Sequence, residues 1–70
     1  MRQRTEFERI RSVLVQADVE GPLTAREIYH VLEDHGVDVD SPHRVATVLG
    51  RQANRGEVEV IHDRPYRYEV

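Results

Sequence analysis

Four histidines, two serines, one Asp-x-Asp pair and a set of arginines are the residues of this 70-residue chain whose types permit chemistry. Most of them fail the spacing that the chemistry requires. His30 and His35 stand five apart, which places them on different faces of a helix, and no His-x₃-His step occurs among His30, His35, His43 and His62. They read as surface or capping side chains. Asp38-x-Asp40 begins like a calcium loop, but the sixth loop position is His43 instead of glycine, and the twelfth is Leu49 instead of glutamate. Ser12 and Ser41 lack a nucleophile-elbow context. Neither a phosphate loop nor a dinucleotide fingerprint is present. The chain has no cysteine, so disulfides and thiolate metal sites are excluded. No catalytic residue, metal site, cofactor or small-molecule ligand is expected, and the chain does not read as an enzyme.

One stretch keeps its chemical promise. Ser41–Gly56, SPHRVATVLGRQANRG, reads as a helix with a signal at each end. Ser41 can cap it by accepting a free backbone N–H. Pro42 fits the first helical position, and Gly56 suits a left-handed C-terminal cap. At about 100° per residue, Val45, Val48, Leu49 and Ala53 fall on one side. His43, Arg44, Thr47, Arg51 and Asn54 share roughly a 100° arc on the other. That second face holds hydrogen-bond donors and positive charge and no carboxylate, as a helix entering a DNA groove requires. Arg44 and Arg51 are suited to a guanine edge or a phosphate, and Asn54 to adenine. His43 and Thr47 lie in the half that enters a groove first. Ser41, with the helix N-terminus behind it, is a candidate phosphate contact. Gln52 points toward the apolar side.

The rest of the chain supplies elements to hold this helix. Residues 5–17 predict a first helix, with Thr5 and Glu8 as a capping box and Phe7, Ile10, Leu14 and Ala17 on one face, widened by Val13 and Val15. Met1–Arg4 is expected to be loose. Gly21-Pro22 is a turn, and Leu23 leaves room for one or two extended residues. Thr24-Ala25-Arg26-Glu27 is a second capping box opening a helix to about His35, with Gly36 as its cap. The linker Val37–Asp40 leads to the 41–56 helix, giving a helix-turn-helix order. From Glu57 the period changes to two: Val58 and Val60, then Tyr66, Tyr68 and Val70, flank a turn at 61–65. This predicts a β-hairpin whose apolar face packs on the helices, with Tyr66 and Tyr68 supplying most of the area. Arg64 at its tip is a candidate DNA contact.

Composition sets the outer limits. Seventy residues make a single domain, 1–70, with a small core. Hydrophobic residues are 39%, too many for a disordered tail. No apolar run reaches the length of a membrane span and no signal peptide opens the chain, so a cytoplasmic location is expected. Every one of the ten basic residues is arginine, against 13 acids and a net charge of −3. A lysine-free, acidic, arginine- and valine-rich chain is compositionally similar to the products of GC-rich, salt-adapted genomes such as those of halophilic archaea, or to those of ordinary GC bias. Residues 1–40 carry five arginines and nine acids, whereas residues 41–70 carry five arginines and four acids. The positive charge is thus concentrated where the donor-rich helix lies.

Three helices followed by a hairpin resembles a winged helix-turn-helix domain. Locally the chain is similar to the DNA-binding half of the ferric uptake regulator family, through Leu23-Thr24-Ala25-Arg26-Glu27-Ile28-Tyr29, the Ser41-started helix with Thr47-Val48, and the Arg55-Gly56-Glu57-Val58 step into the wing. It departs from that family at Leu49-Gly50, where a Tyr-Arg pair is usual, and it stops at the end of the wing, so metal sensing does not carry over. The expectation is an α+β fold, a winged helix-turn-helix that binds double-stranded DNA as a transcriptional regulator and pairs as a homodimer. The alternative is a winged helix that contacts protein instead of DNA, which the acidic first forty residues favour.

Overall fold

The structure, a computed structural model, describes residues 5–70. The expectation for Met1–Arg4 lies outside the described residues. Helix α1 spans Glu6–Gln16, strand β1 Leu23–Thr24, helix α2 Ala25–Asp34, helix α3 Pro42–Asn54, strand β2 Glu59–Ile61 and strand β3 Arg67–Glu69. Among the described residues the fold is α+β: three helices and one small antiparallel sheet.

Each helix starts where its side chains can satisfy the free N–H groups. The hydroxyls of Thr5, Thr24 and Ser41 accept from the backbone N–H of Glu8, Glu27 and Arg44, respectively. At α2 the box is complete, because the Glu27 carboxylate also accepts the Thr24 N–H at 2.9 Å. The three helices also end alike. After α3 the Gly56 N–H donates to Ala53 O at 3.0 Å and the Glu57 N–H to Gln52 O at 3.0 Å, a Schellman pair around Gly56 at φ +79°. Gly36 does the same for α2, and α1 turns on Asp18, which takes φ +54° without being glycine.

The sheet has three strands, not the two expected of a lone hairpin. Its order is β1-β3-β2, with Leu23 opposite Tyr68, Thr24 opposite Arg67, and Val60 opposite Tyr68. The two residues left extended between the Gly21-Pro22 turn and the α2 cap are enough to pair with β3. A third strand of this length carries no visible period in a sequence, since alternation needs at least four residues to register.

The core joins all three helices to the sheet. Ile10, Ile28, Leu32, Val45 and Leu49 are almost completely buried, with Phe7, Val13, Leu14, Val48, Val58 and Tyr68 closing around them. Two expectations about apolar residues are corrected. Val15 does not widen the buried face of α1; it is 73% exposed, because its direction falls roughly opposite Val13. Tyr66 and Val70 share the alternation of Tyr68 but not its burial: Tyr66 is 52% exposed. Tyr66 precedes β3, and its ring meets His62 edge to face at 5.0 Å instead of packing on the helices. Tyr68 alone of the two reaches the core, and burial pushes its phenol pKa up. Among the described residues, no helix is long and apolar enough to cross a membrane.

Candidate nucleic-acid interface

Helix α3 lays Val45, Val48 and Leu49 into the core, with Gln52 half-buried beside them. The opposite face is thereby turned to solvent. His43, Arg51 and Asn54 on it are exposed, and Thr47 is partly so. No residue of α3 is acidic. The Thr47 hydroxyl donates to His43 O at 3.0 Å, which occupies its proton but leaves its oxygen free to accept. Ser41 is partly buried and spends its hydroxyl as a cap, accepting from the Arg44 N–H at 3.3 Å. Arg64 stands exposed in the turn between β2 and β3.

Arg44 occupies a different position from its neighbours. It lies at the edge of the arc nearest α1, and its guanidinium is held by Glu6, 38 residues away in sequence. The Arg44 Nη2 donates to Glu6 Oε1 at 2.6 Å, and Nε donates to Oε1 at 3.1 Å and to Oε2 at 3.2 Å. These bonds hold the Glu6 carboxyl below its ordinary range against the opposing effect of partial burial, and the charges of Arg44, Arg9 and Arg51 lower it further. The same bonds raise the Arg44 pKa. Both side chains remain more than a third exposed, so water screens the pair and it adds little to stability.

A second ion pair braces the sheet side. Arg67 Nη1 lies 3.5 Å from the same Glu27 oxygen that accepts the Thr24 N–H. Arg67 is therefore turned toward α2, away from the 62–66 turn.

Chemistry on the two flanks of α3 differs. Toward α1 the exposed face passes into arginine, with Arg44 and Arg51 lining one cleft together with Glu6. Toward the sheet it passes into a groove of about 620 Å³, lined by Ala46, Gly50, Ala53, Val60 and Tyr66 and bordered by Glu59. Gly50 belongs to the sheet-side flank, at the edge of the exposed face. A Cβ built there would meet nothing within 4 Å, so the fold itself does not require glycine.

The histidines outside α3 have local partners. His30 Nδ1 lies 3.2 Å from the Glu33 carboxylate, and His35 Nδ1 donates to Val31 O at 2.9 Å, closing the end of α2. Among the described residues, no three His, Asp or Glu side chains gather as a metal ion would require.

The chain matches no family model, no curated protein and no solved structure.

Reading the sequence identified the arc on α3 but missed Glu6 as a member of the site. Its only sequence signal was an acid in the first turn of α1, which helix-dipole effects explain equally well. The sequence also gave no sign that Tyr66 and His62 would stand together at the turn.

Proposed function

We propose that this chain is a winged helix-turn-helix domain that binds double-stranded DNA and regulates transcription, with α2 and α3 as the helix-turn-helix and β2–β3 as the wing. The observation that carries the reading is the exposed, carboxylate-free face of α3, on which His43, Thr47, Arg51 and Asn54 are presented together. In this reading Arg51 and Asn54 meet base edges, His43 and Thr47 lie toward the groove floor, and Arg64 touches the backbone beside the turn. Ser41 fixes the start of α3, whose free N–H groups favour a nearby phosphate. The domain acts as a homodimer on a two-fold operator with half-sites about one helical turn apart.

Binding of a generic duplex, followed by fluorescence anisotropy across a salt series, tests the reading. Affinity should fall steeply as salt rises, because each phosphate contact releases counterions. Arg51→Ala should weaken binding by about 1–3 kcal/mol if Arg51 reads a base. The absence of duplex binding at any salt would overturn the proposal. The series must extend to about 1 M salt, where the Debye length shrinks to about 3 Å and only short-range contacts persist.

A second reading has its own observation. The groove between α3 and the sheet is lined mainly by apolar residues, together with Asn54, Glu59 and His62, in a chain of net charge −3. These features favour a protein partner, and an adaptor of that kind would show neither duplex affinity nor a salt slope.

A further inference from the structure

The cleft between the first turn of α1 and the flank of α3 carries an inference that rests on the DNA-binding reading and goes beyond it. Glu6, Arg44 and Arg51 line this cleft of about 150 Å³. Arg9 stands on the other side of Glu6, close enough for its charge to act on that carboxylate. Three cations thus flank the Glu6 carboxylate, which is not needed to close the core; Asp38 lines the cleft beside Arg9, and the charge of Asp40 also acts on Arg44. We propose that Arg44 and Arg51, flanked by Arg9, form the seat for one backbone phosphodiester of the duplex. The Glu6 carboxylate rests in this seat as an internal anion that the phosphate displaces.

The contacts already made by Glu6 define what the seat accepts. A carboxylate and a phosphodiester each present two oxygens to a guanidinium in the same fork geometry. Glu6 takes the Nε and Nη2 protons of Arg44 at 2.6–3.2 Å and leaves the Nη1 edge uncommitted to it. The Arg44 side chain is 40% exposed, so an incoming anion can reach it. The backbone N–H groups at the start of α1 add partial positive charge on the same side. A carboxylate displaced from this seat returns to water and recruits a cation. The duplex therefore releases about one counterion fewer than its arginine contacts would imply, and its affinity depends less on salt.

The test is a double-mutant cycle on the full chain, read by anisotropy with a generic 20-bp duplex from about 50 mM to 1 M salt. Glu6→Gln should steepen the slope of log affinity against log salt by about 0.9. It should also tighten binding at the lowest salt roughly fivefold, the equivalent of about 1 kcal/mol. In the Arg44→Gln background, Glu6→Gln should change neither quantity. Glu8→Gln, in the same turn but bonded only to Thr5 in the described contacts, should leave the slope unaltered. An unchanged slope in Glu6→Gln overturns the seat while leaving the groove reading intact, provided the parent chain binds. Equal steepening with and without Arg44 also overturns it, because the effect would then be general charge and not displacement. If no form binds duplex, both readings fall together. Arg44→Gln reads the cycle without altering α1: if Glu6→Gln does not fold, a loss of less than twofold in Arg44→Gln overturns the seat.

Discussion

Gly50 offers the sharpest separation between what the fold needs and what a partner needs. It sits inside the 13-residue helix α3, where glycine is unfavourable relative to alanine by about 0.5–1 kcal/mol, because the unfolded chain has more freedom to lose. A methyl group at this position would meet no atom within 4 Å. Gly50→Ala should therefore stabilise the domain by about 0.5–1 kcal/mol, with no steric penalty to subtract. For a domain of this size that corresponds to a rise in Tm of roughly 2–8 °C. Urea denaturation followed by far-UV circular dichroism gives the free energy, and a thermal melt checks its sign. The same methyl stands at the sheet-side edge of the exposed face, where Gly50 and Asn54 both line the groove. Where another surface approaches closely, an added methyl costs about 1–3 kcal/mol, at least about fivefold in affinity. The expected result is a more stable protein that binds duplex less well. A loss of stability would refute the account of α3 as open at this position. A gain in stability with unaltered or tighter duplex binding would refute close approach of DNA to this face.

Three further outcomes follow from contacts already described. Leu49→Ala removes a side chain with no exposure and should cost about 2–5 kcal/mol, enough to leave a domain of this size largely unfolded by circular dichroism at room temperature. Thr24→Ala deletes the cap of α2 and should cost about 1 kcal/mol, measured as a lower urea midpoint with unchanged slope. Acid should destabilise the domain through Glu6 and Glu27. The Glu27 pKa is lowered by the Thr24 backbone N–H and then its hydroxyl, and that of Glu6 by Arg44, so both lie below the model-peptide value of 4.5 when folded. Their contribution is present above 4.5 and is lost as pH falls through the depressed folded values; Glu27→Gln and Glu6→Gln should each flatten a urea-midpoint profile below that pH.

Much of the architecture was visible in residue spacing, for reasons that particular residues make plain. The helix boundaries were legible because Thr5, Thr24 and Ser41 sit immediately before apolar periodicity, while Gly36 and Gly56 sit just past it. These are local rules that act within a turn. Buried positions such as Ile10, Leu32, Val45 and Leu49 followed from the same period. What escaped was non-local. The third strand depends on two residues meeting Arg67 and Tyr68 from the far end of the chain. The fate of Tyr66 depends on where the turn ends, one residue before β3, which period-two alternation does not specify. The grip of Glu6 on Arg44 joins residues 38 apart that share no pattern at all. Helical direction puts Arg44 on the donor arc, but direction alone does not reveal that a neighbouring helix already supplies it with an anion.

The sheet order has a consequence for how this chain comes to be folded. β3 is the last strand in sequence and the middle strand in space, pairing β1 on one side and β2 on the other. Thr24, paired with Arg67 in β1, is also the residue that starts α2. During synthesis the helices can form early, but no part of the sheet exists until Arg67–Glu69 have left the ribosome. Until then the part of the core that Tyr68 closes lies open to solvent. The domain is thus closed by its final strand, and a nascent chain stalled a few residues short of it would expose apolar surface for chaperones and proteases to find.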